Sequence, residues 1–188
     1  DSPYALQCAP RALLNDREVV LAAVRAHGSA LQFAGRAMRE DLEVVLAAVG
    51  SDGEALKYAP HELWSDRDLV LAAVQRDGRV LQLAPKGLQD DFQIALTAVQ
   101  SNSKALECVS HKLLRSRDFV LSAVQVSKHA LAYCSDELAG DFEVVFTAVR
   151  KDGYALQFAA EDIKEMKEVV LEAVKTHAAA ICEVSHKR

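Results

Sequence analysis

The stretch Asp41-Leu42-Glu43-Val44-Val45-Leu46-Ala47-Ala48-Val49, continued by Asp52-Gly53, Ala55-Leu56-Lys57-Tyr58-Ala59 and Leu63, decides the fold. Its spacing returns every 25 residues without an insertion. With Asp16 as position 1, that position reads Asp16, Asp41, Asp66, Asp91, Ser116, Asp141 and Met166. Position 8 is always Ala. Position 9 is always Val, from Val24 to Val174, and position 16 is Leu from Leu6 to Leu156, then Ile181. A short strict period marks a repeat array, in which no single central core exists.

Each column has a physical reading. Asp at position 1 caps a helix by accepting hydrogen bonds from its first free N–H groups. The acid at position 3 (Glu18, Glu43, Asp68, Asp118, Glu143, Glu168) sits where the helix dipole favours negative charge. Apolar residues at positions 4, 5, 6, 8 and 9 predict a wide buried face. Gly28, Gly53, Gly78 and Gly153 at position 13 predict a left-handed helix stop. A second short helix follows, as in Ser29-Ala30-Leu31-Gln32-Phe33-Ala34, ended by Pro10, Pro60 or Pro85. A linker then returns through one apolar anchor at position 23, from Leu13 to Ile163. No alternating strand pattern occurs. The expectation is an all-α fold, a right-handed α-solenoid of 25-residue two-helix repeats. It forms one array over residues 1–188: a partial repeat 1–15, full repeats 16–40, 41–65, 66–90, 91–115, 116–140 and 141–165, and a near-complete repeat 166–188. A repeat this small cannot hold its own fold, so stacking must supply the core.

A second period of 50 residues lies over the first. Position 2 alternates Arg17, Leu42, Arg67, Phe92, Arg117, Phe142, then Lys167. Position 24 alternates in opposite phase: Leu14, Arg39, Trp64, Gln89, Leu114, Ala139. The two positions flank the cap and are expected to cover one patch, as a hydrophobic staple does.

These residues resemble the short helical repeat known as domain of unknown function 4116. Its pattern, roughly D-x-E-V-V-L-x-A-V followed by G-x-A-L-x-x-A-S-x-x-L, is met by Asp41–Val49, Gly53, Ala55-Leu56, Ala59 and Leu63. The resemblance covers the whole chain. It implies no activity, cofactor or catalytic residue, and similar repeats are abundant in unicellular algae, other protists and some intracellular bacteria. The chain departs from the pattern at Ser103 and Lys128, which replace the glycine, and at Ser116, which replaces the Asp and is still expected to cap.

The bulk numbers bound function. The chain has 188 residues, 51% hydrophobic and 6% aromatic, with net charge −5. Residues 1–94 carry 10 basic and 14 acidic side chains and residues 95–188 carry 12 and 13, so neither half is a basic module for a phosphate backbone. No apolar run approaches the ~20 residues of a membrane span. Phosphate-loop, dinucleotide, HExxH and nucleophile-elbow motifs are absent, and the histidines follow the repeat rather than ligand spacing. Cys8, Cys108, Cys134 and Cys182 form no CxxC pair and are expected as buried or half-buried thiols, which favours a reducing intracellular compartment. Tyr58, Tyr133, Phe33 and Phe158 are expected as core or groove lining. The end repeats are apolar at Leu6, Leu13, Leu14, Ile181 and Val184, so a partner or further sequence is expected to cover them.

In a stack of repeats, one position becomes one edge. Position 21 reads Arg11, Arg36, His61, Lys86 and His111, then Asp136, Glu161 and His186. The expected function is a non-enzymatic scaffold for protein–protein interaction, or a structural linker subunit of a larger assembly. Arg11, Arg36, His61, Lys86 and His111 are its candidate partner-binding residues. No catalytic residue, metal, cofactor or small-molecule substrate is expected. The alternative is an electrostatic binder of nucleic acid or anionic lipid through the same basic edge.

Overall fold

The computed structural model describes residues 3–176. His177, Ile181, Cys182, Val184 and His186 lie outside the described residues. The described residues hold only helices and connecting turns. No helix among them is long and apolar enough to cross a membrane. The chain divides into two compact units, one ending at Cys108 and the other beginning at Val109.

Each full repeat folds as three helical pieces. The first is a ten-residue α-helix over positions 2–11, as in Arg17–Ala26, Leu42–Ser51, Arg67–Arg76 and Phe142–Lys151. The second is a 3-10 helix, as in Gly28–Phe33 and Gly53–Tyr58. The third replaces the expected linker: Arg36–Glu40, His61–Ser65, Lys86–Gln89, His111–Leu114, Asp136–Ala139 and Glu161–Lys164 are each one short helical turn. Residue 20 of each repeat is extended and opens this turn, so Pro60 and Pro85 start the third piece rather than merely ending the second.

Capping fixes where the long helices begin. The carboxylates of Asp16 and Asp41 each accept from two backbone N–H groups, and those of Asp66, Asp91 and Asp141 accept from Leu69, Ile94 and Val144. Ser116 has the same extended backbone but makes no capping bond, contrary to expectation; its hydroxyl replaces the carboxylate used at Asp16, Asp41, Asp66, Asp91 and Asp141. A second cap escapes the sequence reading. Position 12 caps the 3-10 helix through Asp52, Asp77, Asn102 and Asp152, whereas Ser127 accepts from the His129 N–H ahead of a helix that starts only at Ala130.

The glycines act differently from the expected left-handed stop. Among the described residues no glycine has a positive φ. The long helix ends because position 12 turns extended, as at His27 (φ −147, ψ 108) and Asp52 (φ −144, ψ 113). Glycine is needed for proximity. A Cβ on Gly53 would lie 2.7 Å from the carbonyl oxygen of Ala73, and one on Gly28, Gly78 or Gly153 would press still harder on the oxygens of Ala48, Ala98 and Ala173. Position 13 of one repeat therefore lies on position 8 of the next. Where glycine is missing, the second piece shortens: six residues at Gly28, Gly53, Gly78 and Gly153, five at Ser103–Glu107, three at Ala130–Ala132. Lys128 instead reaches forward to the cap carboxylate of Asp152, 3.6 Å away.

Within each unit, long helix packs on long helix and 3-10 helix on 3-10 helix. The core of the 41–65 repeat is Val44, Val45, Ala48, Val49, Ala55 and Leu56, all fully buried. Position 6, expected inside, is mixed: Leu21 is buried, whereas Leu46 is 36% and Leu171 48% exposed. Five apolar positions in six make more apolar arc than one stacking neighbour covers.

The 50-residue period has a different cause from the expected staple. Trp64 is half-buried and its Nε1–H donates to the carbonyls of Leu56 and Ala59, whereas Phe92 is 41% exposed, so the two share no patch. What alternates is an arginine clamp. Arg17 engages Asp41 and Glu43 of the next repeat, Arg67 engages Asp91 and Gln93, and Arg117 engages Asp141 and Glu143. Each clamp seizes the carboxylate that already caps the next long helix. The Arg117 guanidinium, with backbone N–H groups, holds the Asp141 carboxyl below its ordinary range. For Asp41 the backbone N–H of Val44 is the larger cause and Arg17 adds to it.

Three outcomes follow for stability. Gly78→Ala should lower unfolding free energy by about 1–3 kcal/mol through overpacking, measured by urea denaturation. Gly50→Ala, in the last turn of Leu42–Ser51 with open space around it, should raise it by ~0.5 kcal/mol. Ser116→Asp should add ~0.5–1 kcal/mol by restoring the absent cap. The depressed carboxyls also set a pH dependence. A folded value below the unfolded one contributes stability that is present above the unfolded value and lost as pH falls through the folded one. The urea midpoint should therefore drop below about pH 4, and less steeply in Arg117→Met.

Candidate functional site

The third helical pieces form the edge on which the candidate residues sit. Arg36, His61, Lys86 and His111 are each the first residue of a third piece, and Arg11 occupies the turn before Leu13–Asn15. All five are exposed. Arg11, Arg36, His61 and Lys86 belong to the first unit and His111 to the second. Asp136 and Glu161, at the same position in the second unit, are exposed too.

Neighbours temper the positive charge. Arg36 pairs with Glu40 at 2.7 Å, Glu62 follows His61, and Asp90 closes the Lys86 piece. His61 leans on the Trp64 ring, their centroids 4.2 Å apart at 55°. A bare cationic stripe is thus replaced by alternating charge with a half-buried aromatic behind it.

A groove of about 720 Å³ opens on this edge between the repeats 16–40 and 41–65. Arg36, Arg39 and Glu40 form one wall; Lys57, Tyr58, Pro60, Glu62 and Leu63 form the other. At Gly35, Ser135 and Ala160 the position-20 N–H donates to the position-24 carbonyl of the preceding repeat, at Leu14, Leu114 and Ala139. Pro60 has no N–H and cannot make this bond to Arg39. The two third pieces are untied at the place where the groove opens.

Arg39 is anomalous within it. At the same position, Trp64 and Gln89 each donate to two carbonyls of their own repeat. The Nε of Arg39 is buried without a hydrogen-bond partner, alone in this among the buried side-chain polar atoms of the described residues. The groove's other cations are engaged: Arg36 by Glu40, and Lys57 by Glu54 at 3.0 Å, which holds the ammonium above its ordinary range. Sequence reading singled out Arg36 and expected Tyr58 as core or groove lining, but gave Arg39 and Pro60 no part in a binding site. The signal was a cation set among Leu14, Trp64 and Gln89, three residues from the stripe.

The aromatic residues at position 18 divide. Tyr58 lines the groove, while Tyr133 is exposed rather than core. Among the thiols, Cys8 is exposed, contrary to expectation, because the partial repeat has no preceding neighbour among the described residues. Cys134 is half-buried, its Sγ donates to the Leu131 carbonyl, and burial pushes the thiol up to about 11.

Against known families, the one described as Domain of unknown function (DUF4116) matches residues 1–39, 41–89, 91–139 and 141–187. The chain belongs to this family. The DUF4116 matches begin at Asp41, Asp91 and Asp141, so one family repeat spans two of the 25-residue repeats. Arg17, Arg67 and Arg117 then lie near the middle or end of one match and reach the first residue of the next: the clamps stitch DUF4116 repeats together. No curated protein and no solved structure matches the chain.

Proposed function

We propose that the chain is a non-enzymatic scaffold that binds protein along the outer faces of its stacked repeats, as an interaction module or linker subunit of a larger assembly. The observation that carries this reading is a recurring outward apolar residue. Leu42, Phe92 and Phe142 occupy one position of alternate repeats and are 42%, 41% and 40% exposed. Phe142 also stacks on Phe146, with ring centroids 5.3 Å apart. Single exposed apolar residues are ordinary, but a set repeated at one register suits a protein surface. Arg36, Lys86 and the other edge residues would add charged contacts. The free thiols of Cys8, Cys108 and Cys134 support a reducing compartment.

The second reading, nucleic acid or anionic lipid on the basic edge, has the exposure of Arg11, Arg36 and Lys86 in its favour. Glu40, Glu62 and Asp90 interrupt that edge and weaken it for tracking a phosphate backbone.

The test is affinity capture from the source cell with the full chain, its Leu42→Glu/Phe92→Glu variant and its Arg36→Glu/Lys86→Glu variant. The expected result is a protein set that survives nuclease and moderate salt and is lost with the apolar pair. Partners lost only with the charge-reversed pair, and released by nuclease or by modest salt, would replace this reading with the electrostatic one.

A further inference from the structure

We propose that the groove between repeats 16–40 and 41–65 takes an acidic side chain of a protein partner. The carboxylate would lie on Arg39 and an apolar neighbour on Pro60 and Leu63. The inference deepens the protein-binding reading and rests on it for the source of the carboxylate.

The argument begins with an unbalanced charge. The buried Nε leaves Arg39 short of an acceptor, and an anion that meets the terminal nitrogens from the open side of the groove supplies the missing opposite charge. Arg39 lines the groove, its Nε has no protein acceptor, and no carboxylate pairs with it. The planar fork of arginine suits a carboxylate, which it grips with two parallel N–H groups.

The surrounding charge selects the class of anion. Arg36, Arg39 and Lys57 line the groove with Glu40 and Glu62, a net charge of one positive. That balances a carboxylate. A phosphate dianion would exceed it and face two carboxylates. The remaining lining, Tyr58, Pro60 and Leu63, is apolar or aromatic and suits the side chain next to the acid rather than a sugar or a headgroup. Pro60, like Pro85, also lacks the N–H that ties neighbouring third pieces at Gly35, Ser135 and Ala160.

The experiment is a titration of the nitrogen-15-labelled full chain, followed by amide spectra. Three probes are used: the capped peptide Gly-Leu-Glu-Leu-Gly, the same peptide with Gln for Glu, and inorganic phosphate. The Glu peptide should give saturating shifts at Arg36–Glu40 and Lys57–Leu63, with at least ten-fold weaker binding of the Gln peptide and of phosphate. Arg39→Gln should bind the Glu peptide at least ten-fold more weakly while keeping its fold, because Gln89 already fills this position and donates to Leu81 and Ala84. Equal binding of the two peptides, undiminished binding by Arg39→Gln, absence of saturable shifts at the groove, or tighter binding of phosphate each overturns the proposal. The titration reads carboxylate capture alone, so its failure leaves the scaffold reading to be decided by the capture experiment on the apolar pair.

Discussion

Neighbouring repeats meet where a backbone without a Cβ lies on a carbonyl oxygen. Everything else in the stack is set by that distance. Position 8 is alanine because its carbonyl is the surface being approached, and in the described repeats after the first it is buried almost completely. Position 12 must leave the helix sharply so that the following glycine arrives over the next repeat, and its side chain caps the 3-10 helix that begins there. The leucine at position 16 then drops into a space already fixed by its neighbours, fully buried at Leu31, Leu56 and Leu81. Interiors packed this closely tolerate little added volume. The shortened second pieces at Ser103 and Lys128 show the result of adding it, and the division into two compact units falls in the repeat that carries Ser103.

Much of this architecture was legible in the residues. The period, the Asp caps, the ten-residue helices and the absence of strands follow from columns that any one repeat displays. Three matters were not legible, for physical reasons. A glycine after a helix looks the same whether it serves a left-handed turn or a close approach, and only the neighbouring carbonyl separates the two. The linker hid a helix because four or five residues are too few to show periodicity. The alternation of Arg with Leu or Phe was visible, but its partner lay 24 residues away, in a carboxylate already assigned to capping.

The candidate surface was half legible. Exposure of Arg36, His61, Lys86 and His111 followed from their register, but the charges around them did not, because Glu40 and Asp90 belong to other columns. The groove was harder still. It is marked by an arginine where other repeats carry tryptophan or glutamine, and that difference does not matter until two repeats are placed side by side. Distinctive chemistry in a repeat protein arises where one repeat breaks the pattern of the others, since regular positions are committed to stacking.

The arginine clamp has a consequence for how such chains lengthen. Along the array, a junction held by arginine alternates with one beside Leu42, Phe92 or Phe142. Removing or duplicating 50 residues restores the same order. Removing 25 residues sets arginine beside arginine, or one exposed apolar residue beside another, in neighbouring repeats. Loss of residues 41–65, for example, would place Arg17 and Arg67 in successive repeats, and loss of 66–90 would do the same to Leu42 and Phe92. The helical step is 25 residues, but the heritable step is 50, the length at which the family itself repeats.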